Sequence, residues 1–179
     1  MPLSYCVFDT SMGSAGIAWG ERGLVGIQLP EADPSRVRGR LRRRFPGSRE
    51  SAPSPEIEQA IERIRVLLSG TPVDLTSVPL DMSAVEPFER RVYDVARTIP
   101  PGQTLTYGQI AERLGDRLLA RDVGQALGRN PFPIVVPCHR VLAAGGKLGG
   151  FSAPGGVATK QRLLAIEQAN VSWQLSLGV

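Results

Sequence analysis

Apolar and polar residues in the first third of the chain follow the pattern of short strands separated by turns. Residues 5–8, 16–19 and 24–27 are rich in β-forming side chains, and the breaks between them are rich in glycine and serine. This pattern predicts a small antiparallel meander. Residues 73–80 favour one more, edge-like strand.

A helical pattern follows the meander. Asp33-Pro34-Ser35 is typical of a helix start, and Val37, Leu41 and Phe45 then form one apolar stripe with a spacing of four residues. Residues 57–68 contain a second stripe at helical spacing, and a glycine follows it. The first half of the chain is therefore expected to combine a small sheet with two helices.

The second half is expected to be mostly helical. A helix is predicted to open at Glu86-Pro87, a short helix at 106–114 and a further helix at 118–129, with a glycine-containing turn between the last two. That pair has the outline of a helix-turn-helix. We therefore predict an α/β (α+β) protein with an N-terminal sheet and helix domain at 1–82 and a helical C-terminal domain at 83–179.

Charge is distributed unevenly along the 179 residues, whose formal net charge is +4. Acidic and basic residues balance in 1–85, so the whole excess lies in 86–179, and a polyanionic partner would favour that half. The exception is a run of arginines from Arg36 to Arg49 without an acid between them. It is either a solvated helix face or an auxiliary surface that contacts phosphates.

Several classes of protein are excluded by composition. No apolar run approaches the roughly 18 residues of a membrane span, and the first residues lack the basic start and apolar stretch of a secretory signal. Two cysteines favour a reducing, cytoplasmic setting over a disulfide framework. With one histidine besides, the chain is short of ligands for a standard structural zinc site.

The most unusual segment is 131–141, which carries three prolines and then Cys138 and His139, the sole histidine. The prolines predict a rigid, extended path. A base beside a thiol can raise its thiolate fraction, which a cysteine nucleophile needs. A buried structural cysteine beside a core histidine is the alternative. Cys6 lies in a predicted strand and is expected to be a core residue.

Pro137-Cys138-His139-Arg140-Val141 resembles the O6-alkylguanine-DNA alkyltransferases, also called methylated-DNA–protein-cysteine methyltransferases. The resemblance extends through 104–108, 130–131 and 163–167 and covers roughly residues 86–168. It implies direct-reversal DNA repair by a single-turnover enzyme without a cofactor, which accepts one alkyl group from O6-alkylguanine, with O4-alkylthymine as a second candidate substrate.

The resemblance also implies roles for individual residues. Cys138 would accept the alkyl group, His139 would take the thiol proton through water, and Glu167 would orient His139. Tyr107 would donate a proton or hydrogen bond to the departing guanine, and Asn130 would tie the recognition helix to the active-site loop. These five positions form the expected catalytic set.

Two further sets follow from the same resemblance. Arg121 would fill the gap left by the flipped nucleotide, and the other expected DNA contacts are Tyr107, Thr106, Gly108, Ala120 and Gly124. The expected substrate pocket consists of Pro133, Val141, Phe151 and Ser152. The implied partner is double-stranded DNA carrying O6-alkylguanine, with no membrane partner. A monomer is expected, and the arginine run from Arg36 to Arg49 is separately expected to support cooperative assembly along DNA.

The sequence departs from the family pattern where the recognition helix begins and in the loop after the nucleophile. Over residues 115–122 the family more often has an Asn-Pro and small alanines, whereas this chain has the bulkier Leu119 and the charged Asp122. Residues 150–156 form a longer loop than the shorter Gly-Gly forms. Three other functions fit part of these residues: a non-catalytic lesion-binding protein, a Cys-His hydrolase and a regulatory DNA-binding protein. The acceptor cysteine beside a base favours the repair enzyme.

Overall fold

A computed structural model of the chain describes residues 2–171. Its contacts divide the chain into two compact units. Of the described residues, the first unit contains those up to 84 together with 131–135, and the second contains 85–130 and 136–171. The chain therefore leaves the second unit once, just before Cys138, and returns to it.

The first unit is built on the predicted meander. Strands β1 (Ser4–Thr10), β2 (Gly13–Gly20) and β3 (Gly23–Glu31) pair antiparallel in sequence order. A two-residue strand, β4 (Arg49–Glu50), adds to the free edge of β1 in parallel, which gives the order β3-β2-β1-β4. The sequence pattern missed β4 because two polar residues carry no periodic signal.

Two helices cover this sheet, as predicted: α1 (Pro34–Arg44) and α2 (Pro55–Leu68). The Asp33 side chain accepts a hydrogen bond from the Ser35 amide and caps α1, and Pro34 occupies the first turn. Leu41 of α1 is 1% exposed and packs close to the sheet. A Cβ on Gly16 of β2 would lie 2.5 Å from Leu41 Cδ1, so glycine is what permits this approach.

The expected strand at 73–80 is wrong. Of these residues only Leu80 pairs with the sheet, through an isolated parallel bridge to Leu24. The Asp74 carboxylate accepts hydrogen bonds from the amide and the hydroxyl of Thr76 at 2.8 and 2.9 Å. This local turn competes with strand pairing and leaves 73–79 irregular.

The second unit is mostly helical, as expected. A two-stranded parallel sheet, β5 (Leu105–Thr106) with β6 (Val141–Leu142), sits among four helices, α3 (Pro87–Arg97), α4 (Tyr107–Arg113), α5 (Ala120–Gly128) and α6 (Gly156–Ile166). The mixed α/β class with an N-terminal antiparallel sheet is confirmed. Within residues 2–171, no helix combines the length and the apolarity needed to span a membrane.

The extended path predicted before Cys138 is wrong. Ile134 has a φ of 76°, in the left-handed region that β-branched residues rarely adopt. Its side chain is buried at 1% exposure, so packing compensates this backbone strain. After Pro137, residues Cys138–Arg140 form one turn of 3₁₀ helix. The nucleophile candidate therefore lies on a tight turn.

Candidate active site

Cys138 lies at the start of the 3₁₀ turn with its thiol half-buried. Its amide donates to the Val136 carbonyl at 2.8 Å, and Asn130 Nδ2 donates to the same carbonyl at 2.9 Å. Asn130, which directly follows the C-terminal cap of α5, thus links the end of this helix to the turn that carries Cys138. Burial raises the pKa of the Cys138 thiol, while a hydrogen bond from Asn130 and the charge of Lys160 lower it.

Glu167 receives two basic side chains at once. Its Oε1 lies 2.9 Å from His139 Nε2 and 2.8 Å from Arg140 Nη2, and its Oε2 lies 2.9 Å from Arg140 Nε. The Glu167 side chain is 3% exposed. Burial favours the neutral acid, but His139 and Arg140 outweigh it and hold the pKa of Glu167 at about 2. Glu167 is therefore an anion throughout the neutral range.

His139 is buried at 1% exposure and is positioned to act as a base. Burial lowers the pKa of His139 against the opposing influence of Glu167, so the neutral imidazole is favoured. Because an ionised Glu167 can only accept, His139 Nε2 carries the proton and Nδ1 carries the lone pair. Nδ1 is buried without a hydrogen-bond partner among the described residues. Its lone pair is available to accept a proton.

Tyr107 is the first residue of α4, and its position is fixed by the cap of that helix. The Thr106 hydroxyl accepts from the Gln109 amide at 3.1 Å, and the Gln109 side chain accepts from the Thr106 amide at 2.8 Å, a complete capping box. Burial, followed by the charge of Cys138, raises the pKa of Tyr107. The phenol therefore keeps its proton and can donate it.

Lys160 is a buried cation of the site that the sequence analysis missed. Its Nζ donates to the Val141 carbonyl at 2.6 Å and lies 5.9 Å from the ring centroids of both Tyr107 and Phe151. Burial lowers the pKa of Lys160 to about 8, and Cys138 acts in the opposite direction. Lysine is almost never fully buried without a role or a partner. The sequence carried one signal for this burial: Lys160 shares a helical face with Leu163 and Leu164 and lies seven residues, about two turns, before Glu167.

The predicted helix-turn-helix consists of α4, a turn, one 3₁₀ turn at Arg117–Leu119 and α5. Asp116 caps the 3₁₀ turn by accepting from the Leu118 amide at 2.9 Å. Arg121 lies in the first turn of α5 and is exposed. Leu118 projects fully, with 88% of the residue exposed.

Comparison with known proteins shows the family of this chain. Residues 87–169 match the family model described as "6-O-methylguanine DNA methyltransferase, DNA binding domain". The methylated-DNA–protein-cysteine methyltransferase of Methanothermobacter thermautotrophicus is 38% identical over 159 residues, 89% of this chain and 82% of that protein. That of Mycobacterium bovis is 37% identical over 178 residues, 98% of both chains. The chain belongs to the methylated-DNA–protein-cysteine methyltransferase family.

Solved structures of the family share the fold. The crystal structure of Mycobacterium tuberculosis OGT in complex with DNA has a TM-score of 0.74 at 31% identity, and covers 97% of this chain and 98% of that one. The O6-methylguanine-DNA methyltransferase of Pyrococcus kodakaraensis has a TM-score of 0.68 at 30% identity, with 92% and 98% covered. The predictions of the family and of the enzyme class, a methyltransferase of direct-reversal DNA repair, are confirmed.

The residues expected to bind the alkylated base lie in different surroundings in this methyltransferase. Val141 is buried in β6, and Phe151 lies over the Lys160 ammonium. The Ser152 hydroxyl donates to the Gly128 carbonyl at 2.9 Å, so its hydrogen in this structure is directed at the end of α5. Pro133 falls in the segment of the first unit.

The residues expected to contact DNA cluster on α4 and α5. Thr106, Tyr107 and Gly108 lie at the start of α4, and Ala120 begins α5. A Cβ on Gly124 would lie 3.8 Å from the Tyr107 ring, so the two helices are in contact at this point. Two residues that differ from the family pattern lie in this region. Leu119 is half-buried, and Asp122 is exposed in the first turn of α5, where its carboxylate interacts favourably with the helix dipole.

Proposed function

We propose that this chain repairs duplex DNA by transferring the alkyl group of O6-alkylguanine to the sulfur of Cys138. The observation that carries this proposal is the arrangement of a half-buried thiol beside a neutral histidine, whose Nδ1 is available and whose Nε2 is held by Glu167. This is the nucleophile, base and orienting carboxylate of hydrolytic triads, used here for alkyl transfer.

The reaction is a single displacement. Cys138 forms a carbon–sulfur bond as the bond between the alkyl carbon and guanine O6 breaks, and the thiol proton passes through a water to His139 Nδ1. The imidazolium that forms is stabilised by Glu167 at 2.9 Å. The product is a thioether on the protein and an unmodified guanine, so each molecule reacts once.

Tyr107 supplies the proton or hydrogen bond that the departing guanine needs. The raised pKa of Tyr107 keeps the phenol protonated at neutral pH. A guanine anion is a poor leaving group, and a positioned donor of this kind contributes typically 10²–10⁴-fold to a rate. Lys160 adds a positive charge near both the attacking sulfur and the Tyr107 ring.

DNA binding and base flipping belong to the helix-turn-helix. Arg121 projects from the first turn of α5 and would fill the space left by an extruded nucleotide, which costs a few kcal/mol to flip. The small residues Gly108, Ala120 and Gly124 would let the backbone approach the duplex closely. The protein would act as a monomer that assembles cooperatively on DNA, in the cytoplasm, where reducing conditions preserve the thiol.

Intact-protein and peptide mass spectrometry after mixing with a duplex containing O6-methylguanine tests this function. We expect one methyl group at Cys138, saturating at one per molecule. Cys138→Ala should lose transfer and keep lesion binding, whereas the matched control Cys6→Ser should react fully, because burial raises the pKa of Cys6 to about 11.

Two results would contradict the proposal. Lesion binding without a mass change would place the protein among non-catalytic lesion-binding proteins. Release of methyl groups over repeated turnovers would identify a hydrolase instead.

A further inference from the structure

Arg140 follows the nucleophile by two residues, and its guanidinium is buried, with 5% of the residue exposed. Besides the two hydrogen bonds to the Glu167 carboxylate, its Nη1 donates to the Ile99 carbonyl at 2.6 Å. A buried guanidinium is costly unless its donors are satisfied. These three contacts on two segments therefore fix both the guanidinium and the carboxylate that it binds.

We infer that Arg140 is a positioning residue of the transfer reaction: it holds the Glu167 carboxylate in the orientation that fixes the His139 ring, with Nδ1 able to accept the thiol proton. The inference rests on the proposed function. It adds the group that orients this carboxylate and that, together with burial, favours the neutral base, a role that neither the family resemblance nor the site motif assigns.

The geometry of the carboxylate supports this role. Two parallel N–H···O bonds from one guanidinium fix the plane of a carboxylate as well as its position. Oε1 of Glu167 is shared between Arg140 Nη2 at 2.8 Å and His139 Nε2 at 2.9 Å. Because Arg140 fixes the plane of the Glu167 carboxylate, it also fixes the orientation of the imidazole ring and hence the direction in which Nδ1 points.

The charges around His139 support it independently. The charged groups that act on the imidazole are Glu167, Arg140 and Lys160. Glu167 alone would favour the imidazolium, which has no lone pair with which to accept a proton. Arg140 and Lys160 oppose that effect and lower the pKa of His139, after burial itself. Arg140 is the one of the two that contacts Glu167 directly.

The sole histidine of the chain gives this inference a direct measurement. An NMR titration of the His139 ring in Arg140→Gln should give a pKa about one unit or more above that of the wild type. The matched control is Arg22→Gln, which removes an arginine from the ion pair with Asp81 at 3.2 Å in the first unit. Its His139 titration should equal that of the wild type.

The rate of methyl transfer should follow the protonation state of His139. A base with a raised pKa is neutral only at higher pH, so the acid limb of the single-turnover rate in Arg140→Gln should move to higher pH by the same amount. The loss should approach about tenfold for each unit of the pKa increase at a pH below the pKa of wild-type His139, and it should shrink as pH rises. A purely structural defect would lower the rate equally at every pH.

Two further variants make the test decisive. In Arg140→Gln/Glu167→Gln both charges are gone, and the pKa of His139 should fall below that of Arg140→Gln. Arg140→Lys keeps the charge but loses the two-point contact, so it should recover part of the rate at pH 6. Should Arg140→Gln not fold, Arg140→Lys decides, because a transfer rate equal to that of the wild type at every pH would show that the two-point contact does not position Glu167, which would overturn the inference.

An unchanged His139 pKa in folded Arg140→Gln, or a double variant with a pKa as high as the single variant, would also overturn it. Failure of the proposed function is recognised separately. The histidine titration needs neither DNA nor alkyl transfer, whereas methylation of wild-type Cys138 by the duplex tests the function itself.

Discussion

At the scale of single residues, the reactivity of Cys138 results from influences of opposite sign. Burial favours the neutral thiol, whereas the Asn130 hydrogen bond and the Lys160 charge favour the thiolate. For Cys6, burial and then the charges of Glu58 and Glu50 raise the pKa, and the opposing charge of Arg65 is the smallest influence. The chain therefore contains one thiol that can be activated and one that remains protonated at neutral pH.

Lys160→Met tests the contribution of the buried cation. Without the ammonium, the pKa of Cys138 should rise. The rate at which iodoacetamide alkylates Cys138 at pH 7 should fall by about tenfold for each unit by which this pKa rises. Because the wild-type lysine loses its charge as pH rises through about 8, the difference should be largest below pH 8 and should shrink above it. The measurement is peptide mass spectrometry in a Cys6→Ser background.

The only other lysine provides a matched control, since Lys147 is exposed. Lys147→Met should react with iodoacetamide at the wild-type rate throughout. Equal rates for Lys160→Met and the wild type across pH 6–9 would mean that the ammonium does not support the thiolate.

At the scale of elements, helix starts place the functional side chains. Tyr107 is the first residue of α4, behind the Thr106 cap, and Arg121 is the second residue of α5. The exposed Arg121 side chain projects toward solvent, whereas the half-buried Tyr107 ring lies near Gly124 and the Lys160 ammonium. The capping box and the Asp116 cap thus determine where two reactive side chains point.

Arg121→Ala tests the assignment of the finger. We expect transfer from a duplex to slow by tenfold or more, because flipping loses its plug, while transfer from free O6-methylguanine base stays within about twofold of the wild type. Single-turnover methylation of Cys138 with each substrate is the measurement. Arg129→Ala, which removes the arginine bound to Glu89 at 2.6 Å, is the control at the other end of α5.

Equal losses of Arg121→Ala on the duplex and on the free base would contradict the role of Arg121 in flipping. They would place the arginine in the chemical step instead.

The elements also mark how far the sequence could be interpreted. Periodicity and caps predicted α1 and α4, because both carry a strong local signal in Asp33 and Thr106. The turn at Ile134 could not be predicted, since a β-branched residue takes a positive φ only when its surroundings compensate the strain. Glu167 came from the family resemblance, but the buried contacts of Arg140 became visible only in three dimensions.

At the scale of the whole molecule, the arginines of the run differ in whether an acidic side chain pairs with them. Arg38 and Arg40 are neutralised by Glu50 and Glu31, at 2.9 and 2.5 Å. Arg36 and Arg43 are exposed on α1, with no ion pair to the described residues. The expected helix of arginines ends at Arg44 of α1, and Arg49 lies in β4. Arg36 and Arg43 are therefore the arginines of α1 that are suited to contact a phosphate backbone.

Arg36→Ala/Arg43→Ala should therefore reduce cooperative assembly on long DNA. We expect the binding isotherm to lose its sigmoidal form and the slope of log affinity against log salt to become shallower by about one for each lost phosphate contact. The matched control Arg38→Ala/Arg40→Ala removes the same charge and should retain cooperativity. Equal isotherms for the two double variants would contradict the assignment.

Residues 131–135 belong to the first unit although the second unit flanks them on both sides in sequence. The Pro131 carbonyl accepts from the Ile27 amide at 2.9 Å and from Arg44 Nη2 at 3.0 Å. A gene truncated to begin at codon 85 would therefore encode Phe132 and Ile134, each 1% exposed, without the residues that cover them. For deletion mapping or split-protein design, the halves of this chain are not modular, and a soluble C-terminal fragment would first require polar replacements at those two positions.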